Sequence, residues 1–144
     1  MYPAVRVLAD KIRITGAEPL LYMTWGRQKG MTEVGFNDFN SMQEQLTLGY
    51  MGIANELHLK VAPVGVAWKT ALEHNPTLNL WQEDGSHPNL AGTYLAACVF
   101  YAVLYQKSPE GLESPNGLPK EKARVLQAIS AETVLTDLNH WNIH

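Results

Sequence analysis

The feature that most constrains the fold is a strand–helix–strand pattern in the first half of the chain. A short unbroken apolar run, residues 19–25, has the length and continuity of a strand buried on both faces. Asn37 and Asp38 are good helix-capping residues, and apolar side chains then recur every three or four positions up to Leu57. A second apolar run, residues 59–64, follows. This order is typical of a right-handed parallel crossover, so the sequence predicts an α/β fold.

Four further segments have helical patterns, and they are residues 3–17, residues 66–72, Leu90–Tyr105 and residues 120–138. Four to five helices against two clear strands is an unusual ratio, because a three-layer α/β domain normally has about four to six strands. We therefore expect a partial three-layer α/β/α fold with a short parallel sheet. Its remaining strands are either hidden in the sequence or supplied from outside the chain.

Composition excludes several classes of protein. The 144 residues fit one domain, and 11 Lys and Arg against 14 Asp and Glu give a net charge of -3 without a basic run, so no nucleic-acid partner is expected. The apolar stretch Leu90–Tyr105 is shorter than the roughly 18–20 residues of a membrane span and contains Gly92, which predicts a buried helix instead. The single Cys98 lies in that stretch and is expected to be a packing residue.

The first six residues lack the basic end and apolar stretch of a signal peptide. The cytoplasm is therefore the expected compartment. A periplasmic or secreted location is the alternative if an upstream signal peptide is missing from this sequence.

One segment, residues 83–89, concentrates groups that can do chemistry. Asp84 lies three residues before His87, and Gly85 gives the backbone between them freedom to turn. In such a turn the carboxylate can accept the imidazole Nδ1–H, which leaves Nε2 free to take a proton from a nucleophile. The sequence thus offers Asp84 and His87 as catalytic candidates. The alternative is that Asp84 and Ser86 cap the following helix and His87 is a surface residue.

Other candidates have alternatives of the same kind. Trp25, at the end of its apolar run, could line a substrate pocket or simply pack in the core. His140 and His144 have the spacing of two metal ligands on a helix, but a terminal pair without a third ligand is also typical of frayed surface. A metal-dependent hydrolase that uses Asp84, His87 and a further His is a third possibility. We expect neither a cofactor nor a metal.

The segment 84–97, Asp-Gly-Ser-His-Pro-Asn-Leu-Ala-Gly-Thr-Tyr-Leu-Ala-Ala, resembles the last conserved block of the SGNH (GDSL-type) hydrolases. Further segments, 20–25, 42–57, 61–68 and 126–134, are similar in order and spacing to a bacterial group of largely uncharacterised SGNH-like proteins. The resemblance implies a flavodoxin-like α/β/α fold. It also implies that Asp84 and His87 are two members of an ester-hydrolysing Ser-His-Asp triad.

The nucleophile block of that family has no counterpart here. None of the five serines follows an apolar strand in a Gly-x-Ser turn. By the resemblance, residues 1–144 correspond to the C-terminal portion of a domain whose other half carries the serine. We therefore expect an esterase fragment for a small ester or an acylated carbohydrate or lipid, inactive alone. The alternative is a non-catalytic remnant or interaction module that associates through its open sheet edge, with a partner chain or as a homo-oligomer.

Overall fold

The structure is a computed structural model, and it describes residues 2–144. They form five α-helices and two β-strands, in the order α1 (Tyr2–Ile14), β1 (Leu20–Tyr22), α2 (Phe39–Leu57), β2 (Lys60–Ala62), α3 (Val64–His74), α4 (Leu90–Tyr105) and α5 (Lys120–Leu135). Two 3-10 turns, Thr32–Val34 and Asn139–Trp141, complete the secondary structure. The predicted α/β class, with five helices and a short parallel sheet, is confirmed.

The sheet consists of β1 and β2 in parallel, with Leu21 opposite Val61. The Met23 N–H donates to the Ala62 carbonyl at 3.0 Å, and the Gly65 N–H donates to the Met23 carbonyl at 3.0 Å. Since alternate residues of a parallel strand direct their backbone groups to opposite edges, those of Tyr22 point away from β2. No strand among residues 2–144 pairs with that edge of β1.

Both strands are shorter than the apolar runs that predict them. Each has three residues, where the sequence patterns cover residues 19–25 and 59–64. The second strand stops because α3 begins two residues after its last residue. A continuous apolar run indicates that a segment is buried on both faces. It does not indicate how many of its residues pair with a neighbouring strand.

The last residues of the chain cover the start of β2. The Asn142 side-chain amide donates to the Leu59 carbonyl at 3.0 Å, and Ile143 is buried. The final helix is shorter than the predicted 120–138, because α5 ends at Leu135 and the chain then turns. The Asp137 side chain accepts the His140 N–H at 3.0 Å in this turn, and the second 3-10 turn begins at Asn139.

The core lies where α3, α4 and α5 pack on the sheet. Its largest fully buried side chains include Trp68, Leu95 and Leu126. Helix α4 is buried as predicted, and burial of Cys98 within it raises the pKa of that thiol to about 11. Among the described residues, none of the helices combines the length and apolar content needed to cross a membrane.

Helix α1 packs much less tightly. Ala9 is its one buried residue among those described, and Leu8 is 57% exposed. Polar contacts with the end of α2 hold it, namely an ion pair between Arg6 and Glu56 and a 2.7 Å hydrogen bond from the Arg13 guanidinium to the Leu57 carbonyl. The predicted helix therefore forms, but the described residues leave its apolar stripe largely uncovered.

Candidate functional site

Asp84 and His87 lie in a tight loop that two nearby backbone hydrogen bonds close. The Gln82 N–H donates to the His87 carbonyl at 2.8 Å, and the Asn89 N–H donates to the Leu80 carbonyl at 2.9 Å. Gly85 has a φ of +64°, in the left-handed region that glycine adopts without steric cost. The glycine between the two candidate residues thus has the role that the sequence predicts for it.

The structure brings the two predicted catalytic side chains together. The Asp84 Oδ2 and His87 Nδ1 atoms are 2.5 Å apart. The other carboxylate oxygen, Oδ1, accepts the backbone N–H groups of Ser86 and His87, each at 2.9 Å. The His87 side chain and these two backbone donors lower the pKa of Asp84 to about 2.

An ionised carboxylate has no proton to donate. The short contact therefore places the proton on Nδ1 of His87, and in the neutral ring Nε2 is the basic nitrogen. The His87 side chain is 74% exposed, so Nε2 is open to an incoming group. This arrangement can act as a general base with an orienting carboxylate.

The described residues hold no hydroxyl group hydrogen-bonded to the His87 imidazole. Ser86 lies in the same loop, and its backbone N–H is turned toward Asp84. The other serines are Ser41 in the first turn of α2, Ser108 and Ser114 in the link before α5, and Ser130 buried in α5. None of the five has its hydroxyl hydrogen-bonded to His87, as a nucleophile paired with that base would.

Asn89, rather than Asp84 or Ser86, caps α4. Its Oδ1 accepts the Gly92 N–H at 3.0 Å, and its amide donates to the carbonyls of Asn79 and Trp81 at 2.9 and 3.1 Å. The alternative in which Asp84 and Ser86 cap that helix is therefore wrong. Their bonds stay inside the loop, whereas an asparagine directly before the apolar helix supplies the cap.

Trp25 contacts the loop directly. Its indole N–H donates to the Ser86 carbonyl at 3.0 Å, and its ring stacks on Trp68 with centroids 4.3 Å apart and planes 8° from parallel. The next residues also touch the loop, since the Gln28 N–H donates to the Gly85 carbonyl at 2.8 Å. The substrate-lining role of Trp25 stays a prediction, while its packing and its bond to the loop are observed.

A buried glutamine that the sequence patterns do not predict lies behind this segment. Gln43 is 1% exposed, and its Oε1 accepts the Gly26 N–H at 2.9 Å. The Gly26 carbonyl accepts the Trp81 indole N–H at 3.2 Å, so both polar groups of that glycine are bound. A glutamine beside the apolar stripe of α2 is a weak signal, because long polar side chains are usually solvated.

The remaining histidines are dispersed. His140 is exposed and touches Trp141 edge-on in a 3-10 turn that ends before His144. His58 directly follows α2, and His74 is the last residue of α3. Over residues 2–144, no three His, Cys, Asp or Glu side chains lie close enough together to hold a metal ion. The third possibility, a metal site at Asp84 and His87, thus has no further ligand in the described part of the chain.

One cavity lies at the site. It has a volume of about 230 Å³, lies beside Asp84 and is lined by Arg27, Lys29 and Glu83 among others. Another, of about 660 Å³, lies away from the loop, between residues 110–114 and α5. Since Gln127 in its wall has every polar atom hydrogen-bonded, the larger cavity presents no unpaired buried group to a ligand.

Comparison with known proteins gives one likeness in fold. No protein-family model matches the sequence, and no curated protein matches it. A solved structure, that of a DUF4886 family protein from Bacteroides uniformis, is similar with a TM-score of 0.76 and 22% sequence identity. The likeness covers 89% of this chain and 53% of the solved one, so the chain spans about half the length of that protein.

These findings correct the family assignment. The predicted membership in the SGNH hydrolases is wrong, because no family model supports it and the shared fold is that of a DUF4886 protein. The segment 84–97 explains the error in physical terms. Its residues form a tight turn and the start of a close-packed helix. Unrelated proteins can need the same residue types for such local structures, so the segment alone does not identify a family.

Proposed function

We propose that the chain contributes the general base and its orienting carboxylate to a serine-dependent ester hydrolase. His87 is the base and Asp84 orients it. The observation that carries the proposal is the 2.5 Å contact between Asp84 Oδ2 and His87 Nδ1, with the pKa of Asp84 lowered and the His87 side chain 74% exposed. The nucleophilic serine comes from outside residues 1–144, as part of a domain of which this chain is the C-terminal portion.

In the proposed reaction, Nε2 of His87 takes the proton of a serine hydroxyl while the serine oxygen attacks the ester carbonyl. Asp84 stays ionised and stabilises the imidazolium through Nδ1–H. The imidazolium then gives its proton to the departing alcohol, which leaves an acyl-enzyme. Water, deprotonated by the same nitrogen, then attacks the acyl carbonyl, the bond to the serine oxygen breaks, and the imidazolium returns the proton to that oxygen as the acid is released. The substrate class is a small ester or an acylated carbohydrate or lipid.

Two observations support a site completed by another polypeptide segment. The free edge of β1 lies next to the segment that contacts the catalytic loop, since Trp25 follows that strand by three residues. The solved DUF4886 chain is also about twice as long as the part that resembles this one.

The cytoplasm stays the predicted compartment.

A second candidate function is an interaction module without catalysis. The open edge of β1 and the exposed apolar residues of α1 favour it, because unpaired strand edges and uncovered apolar stripes promote association. The partner in this case is another chain or a second copy, and Asp84 and His87 only shape the entry to α4.

Labelling with a fluorophosphonate tests the proposal. The polypeptide encoded directly upstream of Met1 is expressed in frame with residues 1–144, and the labelled residue is located by mass spectrometry. We expect one labelled serine, loss of labelling in His87→Ala, and unchanged labelling in the matched control His74→Ala. If no serine is labelled in the extended protein, or if His87→Ala is labelled like the wild type, catalysis is rejected and the interaction module is favoured.

A further inference from the structure

We infer that Trp25 is a positioning residue for the Asp84–His87 pair, acting through the peptide unit between Ser86 and His87. The inference rests on the proposed function only in assuming that the pair acts in catalysis. The positioning itself follows from four hydrogen bonds around two successive peptide units of the loop.

The first peptide unit joins Ser86 to His87. Its carbonyl accepts the Trp25 indole N–H at 3.0 Å, and its N–H donates to Asp84 Oδ1 at 2.9 Å. A peptide unit is planar, and its carbonyl and N–H point in opposite directions. The indole on one side therefore fixes the direction in which the N–H reaches the carboxylate on the other.

The preceding peptide unit, between Gly85 and Ser86, repeats the pattern. Its carbonyl accepts the Gln28 backbone N–H at 2.8 Å, and its N–H donates to the same Asp84 oxygen at 2.9 Å. Both backbone donors to Asp84 thus belong to peptide units whose carbonyls are held by residues 25–28. This segment orients the carboxylate that in turn orients His87.

The core fixes the Trp25 ring in turn. The Trp25 ring stacks on Trp68, which is fully buried, and α4 packs against Trp68 as well. A Cβ on Gly92 would lie 2.4 Å from Cη2 of Trp68, so no free space lies between that ring and the helix. The position of the indole N–H is therefore set by stacking on Trp68 of α3, which α4 in turn holds in place.

The titration of Asp84 tests the inference in Trp25→Phe, which keeps an aromatic ring to stack on Trp68 and removes the N–H donor. Carbon-13 NMR of the carboxyl group gives the pKa in the folded protein. We expect the pKa of Asp84 to rise from about 2 toward its ordinary value of 3.8, because the backbone donors are less well aimed. A purely structural role would lower the melting temperature and leave this pKa unchanged.

Trp141→Phe is the matched control. It removes another indole N–H bond, to the Thr133 carbonyl at 2.9 Å, far along the chain from the loop. We expect it to leave the pKa of Asp84 at the wild-type value. Equal values in Trp25→Phe, Trp141→Phe and the wild type would overturn the inference.

If Trp25→Phe does not fold, the inference can be tested by changing Asp84 and measuring the Trp25 indole instead. Asp84→Ala removes the acceptor of both backbone N–H groups, so with nitrogen-15-labelled tryptophan the Trp25 indole proton should exchange faster with water in this variant, while the Trp141 indole proton is unaffected. An unchanged Trp25 indole signal would refute the coupling. Neither readout depends on a nucleophile, so failed fluorophosphonate labelling would reject the proposed function and leave this inference standing.

Discussion

Helices α1 and α4 use their apolar residues in opposite ways. Helix α1 has an amphipathic sequence, yet Leu8 is 57% exposed and the helix buries only Ala9 among its described residues. Helix α4 is apolar almost all round and buries eight residues, with Leu95 fully enclosed. A hydrophobic stripe shows which face of a helix needs cover, but whether it is covered depends on which other elements are present.

The largest effect is expected for Leu95→Ala in α4. Removing this fully buried side chain should lower the free energy of unfolding by about 2–5 kcal/mol, because it leaves a cavity that the packed helices cannot close. Denaturant unfolding followed by circular dichroism measures it. A loss below about 1 kcal/mol would mean that α4 is loosely packed, because a tightly packed core cannot collapse into the space that the leucine leaves.

Gly92→Ala should come next. The added methyl group would lie 2.4 Å from both the Leu80 carbonyl oxygen and Trp68, so the helix must shift, at a cost of about 1–3 kcal/mol. Gly52→Ala in α2 is the matched control, with nothing within 4 Å of the new methyl group. That control should stabilise the protein by about 0.5–1 kcal/mol, since alanine is the better helix former. The same sign for both variants would contradict the close approach.

Asn89→Ala removes the cap of α4 and should cost about 0.5–2 kcal/mol. The Gly92 N–H loses its acceptor, and the carbonyls of Asn79 and Trp81 lose their donor. Thermal unfolding of Asn89→Ala and Asn89→Asp separates the two effects. Aspartate keeps the acceptor for Gly92, so it should recover part of the loss, and no recovery would argue against a capping role.

Acid should weaken the loop at the start of α4 more than it affects α1. The pKa of Asp84 is depressed in the folded chain, so its contribution to stability is complete above its unfolded value of about 3.8 and is lost as the pH falls toward 2. Unfolding measured at pH 5 and at pH 2.5 should therefore differ more for the wild type than for Asp84→Asn. An equal difference in the two proteins would show that the carboxylate is not held as described.

Leu8→Ala in α1 should have the smallest effect, within about 0.5 kcal/mol of the wild type, because its side chain is already mostly in water. The same substitution becomes informative once a completing segment is present. If that segment covers α1, the variant should then be clearly less stable than the extended wild type. An effect as large as that of Leu95→Ala in residues 1–144 alone would contradict the difference between the two helices.

The sequence predicts most of the fold, because the patterns involved are local. The spacing that ends α2 at Leu57 and the apolar run of α4 both match the structure. The end of α5 is less predictable, since the Asp137 bond to the His140 N–H competes with a continued helix. The strand lengths also escape prediction, because they depend on which residues find a partner across the sheet.

In the candidate site too, contacts between residues close in sequence are predictable and contacts between distant residues are not. The contact between Asp84 and His87 spans three residues and could be foreseen from their spacing. The bond from Trp25 to Ser86 joins residues 61 positions apart, and no local pattern reports it. The asparagine before α4 could have been identified as the cap, because that residue type at that place is a common helix start.

The end of the chain has a practical consequence for handling the protein. Asn142 and Ile143 are built into the fold at the start of β2, while Tyr2 begins a helix that touches the rest of the molecule lightly. When residues 1–144 are expressed by themselves, a tag or fusion joined after His144 directly follows a docked segment, whereas one joined before α1 precedes a helix whose residues are mostly exposed. For residues 1–144 expressed alone, attachment before α1 therefore disturbs fewer contacts than attachment after His144.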